Sequence, residues 1–439
     1  MAIEGLAKIP ELRKRITFTI LMVAIYRLGA HVPTPGVNGQ ALADFFNAQS
    51  GGIFGMFNLF SGGALQRLSV FALGIMPYIS SSIIFQLLTA VFPYLEALNK
   101  EGEQGRKKIA QYTRYGTVVL CVIQGFGISS YLEHSNSPTG VPLVLNAAVG
   151  GIPFKLMTII TLTAGLLFLM WLGEQMTERG IGNGTSVIIY AGIVAGLPKG
   201  FFNSLELIKS GEMNVAIALG ILVLMVAIIS VIIYLEVGQR RIPIQYSKRV
   251  SGRKVMGGQS SHLPLKINSS GVIPPIFASS LLMFPATLAQ FVQTPWMRNI
   301  RDAISPAGVL YNVLYVALIV FFCFFYTAIV FNPNDVADNL KKYGGFIPGI
   351  RAGKSTADYI EGVLSRITVG GAVYISAVCV LPTILASQAK VPFYFGGTSI
   401  LILVGVALDT VQQIQSHLIT HQYEGFMRGA KLRGRRASY

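Results

Sequence analysis

Long apolar runs separated by short basic stretches dominate the chain. Ten of them, at about 16–32, 69–92, 113–132, 154–173, 184–200, 214–236, 269–291, 309–331, 368–388 and 398–418, read as membrane-crossing helices. A bilayer takes about 20 predominantly apolar residues per helix. The pattern therefore predicts an all-α polytopic membrane protein with ten transmembrane helices. It breaks at one place. Gly55–Phe60 is apolar, Ser61-Gly62-Gly63 interrupts it, and a full span follows from Leu68 to Phe92. Gly55–Leu65 would reach only roughly 16 Å as a helix and cannot cross. A short piece hinged by glycines in front of a span is either a re-entrant element inside a cavity or an external loop with a surface helix. Non-helical backbone at membrane depth is tolerated only where protein or a water-filled cavity surrounds it.

Composition agrees: 52% of residues are apolar and 12% charged, against roughly 25% charged in a soluble domain. The net charge is +16, and its placement is uneven. With ten spans both termini share one side; that side holds 27 of the 35 Lys and Arg, the other holds 7, and Arg27 lies inside the first span. The positive-inside rule makes the terminal side cytoplasmic, and adding or dropping a span would mix the two sets. Lys8, Arg13, Lys14 and Arg15 precede an apolar run as in a signal peptide, but no small-residue cleavage site follows. The first span is expected to stay uncleaved.

Five spans return the chain to the opposite side, so two halves, 1–200 and 201–439, would be inverted relative to each other, as in many transporters. The second span of each half contains proline, Pro77 in one and Pro274, Pro275 and Pro285 in the other. Proline in a span frees carbonyls and kinks the helix. The fifth span is short and glycine-rich. Kinked and broken spans are the expected lining of a central path.

Ionisable groups at depth are scarce. Glu174 and Glu236 lie at span ends, Asp409 is the one acid well inside, and His417 lies close to an end. Ion and proton relays need such groups at mid-membrane, so an ion-coupled transporter is disfavoured. No nucleophile–base set, paired carboxylates, metal cluster or cofactor motif is visible, and Cys121, Cys323 and Cys379 sit in apolar runs with no metal spacing. Nothing points to an enzyme.

Two cytoplasmic loops are long. Loop 237–268 carries Arg240, Arg241, Lys248, Arg249, Arg253, Lys254 and Lys266 and no acid. Its alternation and the Ser251-Gly252 turn signal predict a projecting β-hairpin. Such a basic projection suits RNA phosphate, an acidic protein or lipid headgroups, with a solvated topogenic loop as the plain alternative. In loop 332–367, Asn334 or Asp335 is expected to cap a short helix through Lys342. Glycines and Pro348 then hold Arg351 on a constrained tip. Gly353-Lys354-Ser355-Thr356 looks like the end of a phosphate-binding loop, but Pro348 stands where that motif needs glycine and no strand precedes it. Nucleotide binding is rejected, which leaves any energy source in a partner. A basic tail closes the chain.

Ordered motifs along essentially the whole sequence now identify a resemblance: Phe60-Ser-Gly-Gly-Ala-Leu with Ala72-Leu-Gly-Ile-Met-Pro-Tyr-Ile-Ser, Glu101-Gly-Glu with Gln111-Tyr-Thr-Arg, Gly180-Ile-Gly-Asn-Gly-Thr-Ser, Arg241-Ile-Pro-Ile-Gln-Tyr, Gly271-Val-Ile-Pro-Pro-Ile-Phe-Ala-Ser-Ser and Gly345-Phe-Ile-Pro-Gly-Ile-Arg. The chain resembles the SecY/Sec61-alpha family, the channel subunits of protein translocons. Ala352 departs from the proline the family often has after the arginine. The resemblance implies two five-helix halves around an hourglass pore in the bacterial cytoplasmic membrane. It implies a waist ring of Ile75, Ile79, Ile189, Ile193, Ile276 and Ile402. The pairs Ile75/Ile79 and Ile189/Ile193 are spaced to share a helix face; taken alone, these residues read as ordinary core or lipid-facing isoleucines. It implies a plug formed by Gly55, Met56, Phe57, Asn58, Leu59, Phe60, Ser61, Gly62, Gly63, Ala64 and Leu65. It also implies a lateral gate between spans 2–3 and 7–8, with Ser80, Ser81, Ser82, Gln86, Thr89, Ser279, Ser280 and Phe284 on or near it. The residues alone read most of these hydroxyls as bonds between neighbouring helices. Implied partners are SecE and SecG, the motor ATPase SecA, a translating ribosome, signal sequences, nascent chains and anionic lipids.

Overall fold

The computed structural model describes residues 10–48, 58, 60–135, 140–145, 148–149, 151–211, 214–246, 249–251, 254–256, 260–291, 308–389 and 396–434. In chain order the helices are α1 (Pro10–Gly29), α2 (Gly39–Ala48), α3 (Met76–Val91), α4 (Pro93–Lys100), α5 (Glu103–Glu133), α6 (Phe154–Arg179), α7 (Gly184–Lys209), α8 (Val215–Val237), α9 (Ile273–Phe291), α10 (Val309–Val330), α11 (Pro333–Lys342), α12 (Lys354–Ala389) and α13 (Gly397–Gly434). The strands are β1 (Ala148–Val149), β2 (Ile152–Pro153), β3 (Gln239–Tyr246), β4 (Arg249–Ser251), β5 (Lys254–Met256), β6 (Ser260–Lys266) and β7 (Gly345–Phe346). Each of the ten apolar runs overlaps a helix. Among the described residues, seven helices are long and apolar enough to cross a membrane, or eight if the bent pair α3–α4 is one span.

The helices form two sets. α1 packs on α6 and α7, α3 on α5, α5 on α6, and α6 on α7; in the other set α9 packs on α10, α10 on α12, and α12 on α13. The sets meet at two seams. One is α9 against α3 and α5, and the other is α7 against α13, with α8 bridging both. One continuous buried cluster of apolar side chains runs through both sets.

Span 2 corrects the sequence reading. Its apolar run begins near residue 69, but helix begins only at Met76, and residues 61–75 are a succession of turns tied in by a bridge between Pro33 and Ser69. Pro77 sits in the first turn of α3, where its missing N–H costs no helical bond. Pro274 and Pro275 likewise fall in the first turn of α9. These prolines start helices rather than kink them. In both places a glycine at positive φ precedes the start, Gly74 at 55° and Gly271 at 63°. The two starts share the pattern Gly-x-x-Pro-x-Ile-x-x-Ser, at 74–82 and 271–279, with Ile79 and Ile276 at matching positions. At its other end α3 meets Pro93, and α4 leaves at 97°.

The two long loops, 237–268 and 332–367, are joined. The hairpin expected in 237–268 is present: β3 pairs antiparallel with β6 from Gln239↔Lys266 to Gln245↔Ser260, and β4 with β5 nearer its tip. β7, from loop 332–367, adds to the far edge of β3 through Gln245↔Phe346 and Tyr246↔Gly345. Ile242, Leu265, Ile347 and Ile360 form a separate small core beneath this sheet, flanked by Leu340 of α11 and Val363 of α12. Each such side chain contributes about 1.5–3 kcal/mol on burial from water. The helix cap also shifts by two or three residues. Asn332, not Asn334 or Asp335, caps α11 by accepting from the Asn334 N–H at 3.1 Å, because Pro333 takes the first helical position.

Ile360 is fully buried under the sheet. Ile360→Ala should weaken this folded loop unit by about 2–5 kcal/mol. Limited proteolysis should then cut within 239–266 and 345–353 faster, with the apolar helices still protected; an unchanged cleavage pattern would refute the shared core.

Candidate functional site

Residues 60–75 are an irregular, largely buried segment wedged between α1, α6 and α7. Phe60, Ser61, Ala64, Leu65, Leu68 and Ser69 are all buried. Backbone in such a place must find hydrogen-bond partners within the protein, and it does. The Asn58 carbonyl accepts from the Gly63 N–H at 2.8 Å, and the Asn58 side-chain oxygen accepts from the Gln66 N–H at 3.0 Å. Ser61 Oγ donates to the Asn58 carbonyl and accepts from the Leu65 N–H, both at 3.2 Å. Thr34 donates to the Leu68 carbonyl twice, from N–H at 2.8 Å and from Oγ1 at 2.7 Å. From α1, Tyr26 Oη donates to the Ser61 carbonyl at 3.2 Å and Arg27 Nη1 to the Gly62 carbonyl at 3.0 Å.

Glycines let these elements approach. Gly62 has φ 64°, and a Cβ there would lie 2.8 Å from the Gly192 Cα of α7 and 2.9 Å from Arg27 Nη1. Gly192 returns the fit, since its own Cβ would stand 3.1 Å from the Phe60 carbonyl. On α6, Gly165 leaves no room for a Cβ against the Val70 carbonyl. The segment is thus a turn-built wedge fitted to three helices. Of the predicted plug, Asn58 and Phe60–Leu65 belong to this wedge. Gly55, Met56, Phe57 and Leu59 lie outside the described residues.

All six isoleucines of the predicted ring are buried in the common core: Ile75 5%, Ile79 6%, Ile189 5%, Ile193 1%, Ile276 7% and Ile402 0% exposed. None faces lipid. They come from four helices or helix starts, α3, α7, α9 and α13. Gly192, which receives the wedge, stands between Ile189 and Ile193 in sequence. α7 owes its start to Asn183, whose side chain accepts from the Thr185 N–H at 3.1 Å.

The predicted gate residues divide. Ser280 Oγ reaches Met76 Sδ at 3.9 Å, directly across the α3–α9 seam. Ser279 Oγ donates to its own helix at the Ile276 carbonyl, 2.9 Å. Ser81 faces α5 instead, donating to the Thr113 carbonyl at 2.8 Å. Gln86 donates to Ser82 at 3.2 Å and Thr89 to the Gln86 carbonyl at 2.7 Å, within α3. Ser80 is half-buried. Phe284 lies in α9, with its side chain outside the described residues.

On the folded loop unit, Arg240, Arg241 and Arg351 are exposed. Gly349 at φ 81° and Gly353 at φ 110° bracket the Arg351 tip, and Thr356 Oγ1 donates to the Arg351 carbonyl at 2.9 Å. Arg249 and Lys254 lie in β4 and β5. Lys248 and Arg253 lie outside the described residues.

Sequence reasoning missed one polar junction. Asn268, 3% exposed, donates from Nδ2 to Glu236 Oε1 at 2.6 Å and to the Gly271 carbonyl at 3.0 Å, tying the end of α8 to the start of α9. Asp409 is exposed and lines an open crevice of about 300 Å³ with Asn183, Gln412 and Gln413.

The SecY family model matches residues 69–411. The chain belongs to the SecY family. The protein translocase subunit SecY of Pseudomonas aeruginosa is 54% identical over 428 residues, which is 97% of this chain and 95% of that protein. That of Escherichia coli (strain K12) is 50% identical over 428 residues, 97% and 96% of the two chains. Two solved structures share the fold. A SecY protein whose plug domain is described as stabilising the closed state of the translocation channel aligns with TM-score 0.66 at 17% identity, covering 94% of this chain and 96% of that one. Sec61 in a canine ribosome-channel complex aligns with TM-score 0.62 at 15% identity, over 94% and 96%. The SecY family consists of translocase subunits rather than catalytic enzymes.

The α3–α9 contact is testable directly. With Met76→Cys and Ser280→Cys in an otherwise cysteine-free chain, a short homobifunctional thiol reagent should join the two helices. The product would be seen as an uncut band after proteolysis between them; two fragments would refute the contact.

Proposed function

We propose that this chain is a passive protein-conducting channel of the bacterial cytoplasmic membrane. Unfolded secretory polypeptides pass through it, and apolar segments leave it sideways into lipid. The observation that carries the reading is the juxtaposition at Gly192: a buried, non-helical wedge packs against the helix that bears Ile189 and Ile193, and runs on into Ile75 and Ile79. A constriction of stiff β-branched side chains closes around an extended chain and holds back water by dewetting. The plug is Gly55–Leu65, and its described part, Asn58 and Phe60–Leu65, belongs to this wedge. All ten helices matching the apolar runs cross, in two inverted five-helix halves, 1–200 and 201–439, around an hourglass pore. The repeated Gly-x-x-Pro-x-Ile-x-x-Ser start of α3 and α9 supports that relation. Both termini are cytoplasmic, as the distribution of 27 and 7 basic residues favours.

The lateral gate is the α3–α9 seam, with α5 and α10 behind it. A signal sequence intercalates there, the plug moves aside, and segments of about 20 apolar residues partition into the bilayer. Because the plug and α3 are one continuous stretch, movement of α3 at the gate is felt directly by the plug. Energy comes from partners. Arg351 and the basic hairpin, held on one folded unit, dock SecA or a ribosome; SecE clamps the halves, SecG joins them, and anionic lipids contact the basic loops. A secondary transporter for a small solute is the competing class. It calls for ionisable groups at mid-membrane and gives no role to large basic projections, the reverse of what this chain carries.

A photo-crosslinking residue at Ile189 should form an adduct with a secretory chain stalled in the membrane; absence of any adduct would sink the ring assignment. Arg351→Glu should block motor-driven export while the subunit inserts at its normal level. Export at the unmodified rate would remove Arg351 from the docking site.

A further inference from the structure

Arg27 is a charge inside the first span, and nothing in the channel reading uses it. A charged side chain in a span is costly, and near a helix end it ordinarily snorkels to the interface or pairs with an acid. Here it does neither. Among the described residues no carboxylate pairs with it. Its guanidinium turns inward and donates to the Gly62 carbonyl at 3.0 Å. The preceding residue, Tyr26, is 1% exposed, stacks on Phe71 with ring centroids 6.1 Å apart, and donates to the Ser61 carbonyl at 3.2 Å. Two consecutive side chains of α1 therefore hold two consecutive carbonyls of the wedge.

We propose that Tyr26 and Arg27 are positioning residues that latch the plug in the closed channel. The inference rests on reading 55–65 as the plug. Two features fit it. The acceptors are backbone carbonyls, so the latch constrains position more than plug sequence. The exception is Gly62, which must lack a Cβ because Gly192 and Arg27 Nη1 both stand within 3 Å of where it would be. The latch also has a fixed side and a moving side. α1 packs on α6 and α7, away from the α3–α9 seam, whereas the plug is continuous with α3. Displacement of α3 therefore draws the two carbonyls off their donors. A charged donor makes the stronger of the two bonds, so Arg27 dominates and Tyr26 adds to it. Losing one such bond shifts an equilibrium by roughly tenfold or more.

The test uses the complete translocon in proteoliposomes, with no substrate present, and reads resting ion permeability alongside export of a precursor with a weakened signal sequence. Arg27→Ala should raise resting permeability roughly tenfold and increase export of the weakened precursor. Arg27→Lys, which keeps a charged donor, should restore much of the seal, and Tyr26→Phe should leak less than Arg27→Ala. A chain lacking 61–65 is the control. If that deletion leaks and Arg27→Ala stays as tight as the unmodified channel, the latch is overturned and the plug stands. If the deletion does not leak, the plug reading fails and the latch with it. Should Arg27→Ala fail to accumulate, Tyr26→Phe decides, since it removes a single hydroxyl: permeability equal to the unmodified channel overturns the latch.

Discussion

Buried backbone that is not helical must still find partners for its N–H and C=O groups, and in a membrane protein water is not there to supply them. That constraint governs the region from Phe60 to Ile75. Asn58 and Ser61 complete the turns locally, Thr34 reaches in from the loop after α1, and Tyr26 and Arg27 from α1 itself. Its second demand is proximity. Carbonyls are met only if helices come close, which is why Gly165 and Gly192 stand where side chains would collide with the segment. The packing of α1, α6 and α7 is in this sense built around an irregular guest.

The two helices at the seam, α3 and α9, solve a related problem the same way. Each begins after a glycine in the left-handed region and puts proline in its first turn. A proline there ends nothing and kinks nothing; it fixes where the helix starts. The start of α9 is further held by Asn268, shared between Glu236 and the Gly271 carbonyl. The start of α3 is held by the wedge itself. The seam is thus bounded by two defined origins and closed by small contacts such as Ser280 on Met76.

Much of this was legible in the sequence, for physical reasons that also mark where legibility stops. Helix existence follows from apolar length: each run overlaps a helix, and among the described residues seven or eight of these are long and apolar enough to cross a membrane. Residues 69–75 misled because a turn buried in protein is as apolar as a helix, so hydropathy alone set the start of α3 too early. Pro77 misled because proline's effect depends on its offset from a start that the apolar pattern does not mark. The hairpin in 237–268 was readable from alternation and a turn signal. Its third strand was not, since Gly345–Phe346 lies about a hundred residues away and its pairing is tertiary. The isoleucines owed their selection to family resemblance, and the structure adds that all six are buried. Arg27 could be seen as odd in an apolar run, but its partner is a carbonyl, which no side-chain pattern announces.

α12 runs unbroken for 36 residues, from Lys354 beside the Arg351 tip to Ala389. At 1.5 Å per residue it is a rod of about 54 Å, longer than the hydrocarbon core is thick. Its first turns, through Ile360, are clamped in the small apolar core under the sheet, and farther along it packs on α10 and α13. The helix continues without a break between these two parts. A load applied at the Arg351 tip is therefore not dissipated in a flexible tether. It arrives as torque on a stiff shaft, and the bearings of that shaft are the neighbouring helices of its own set.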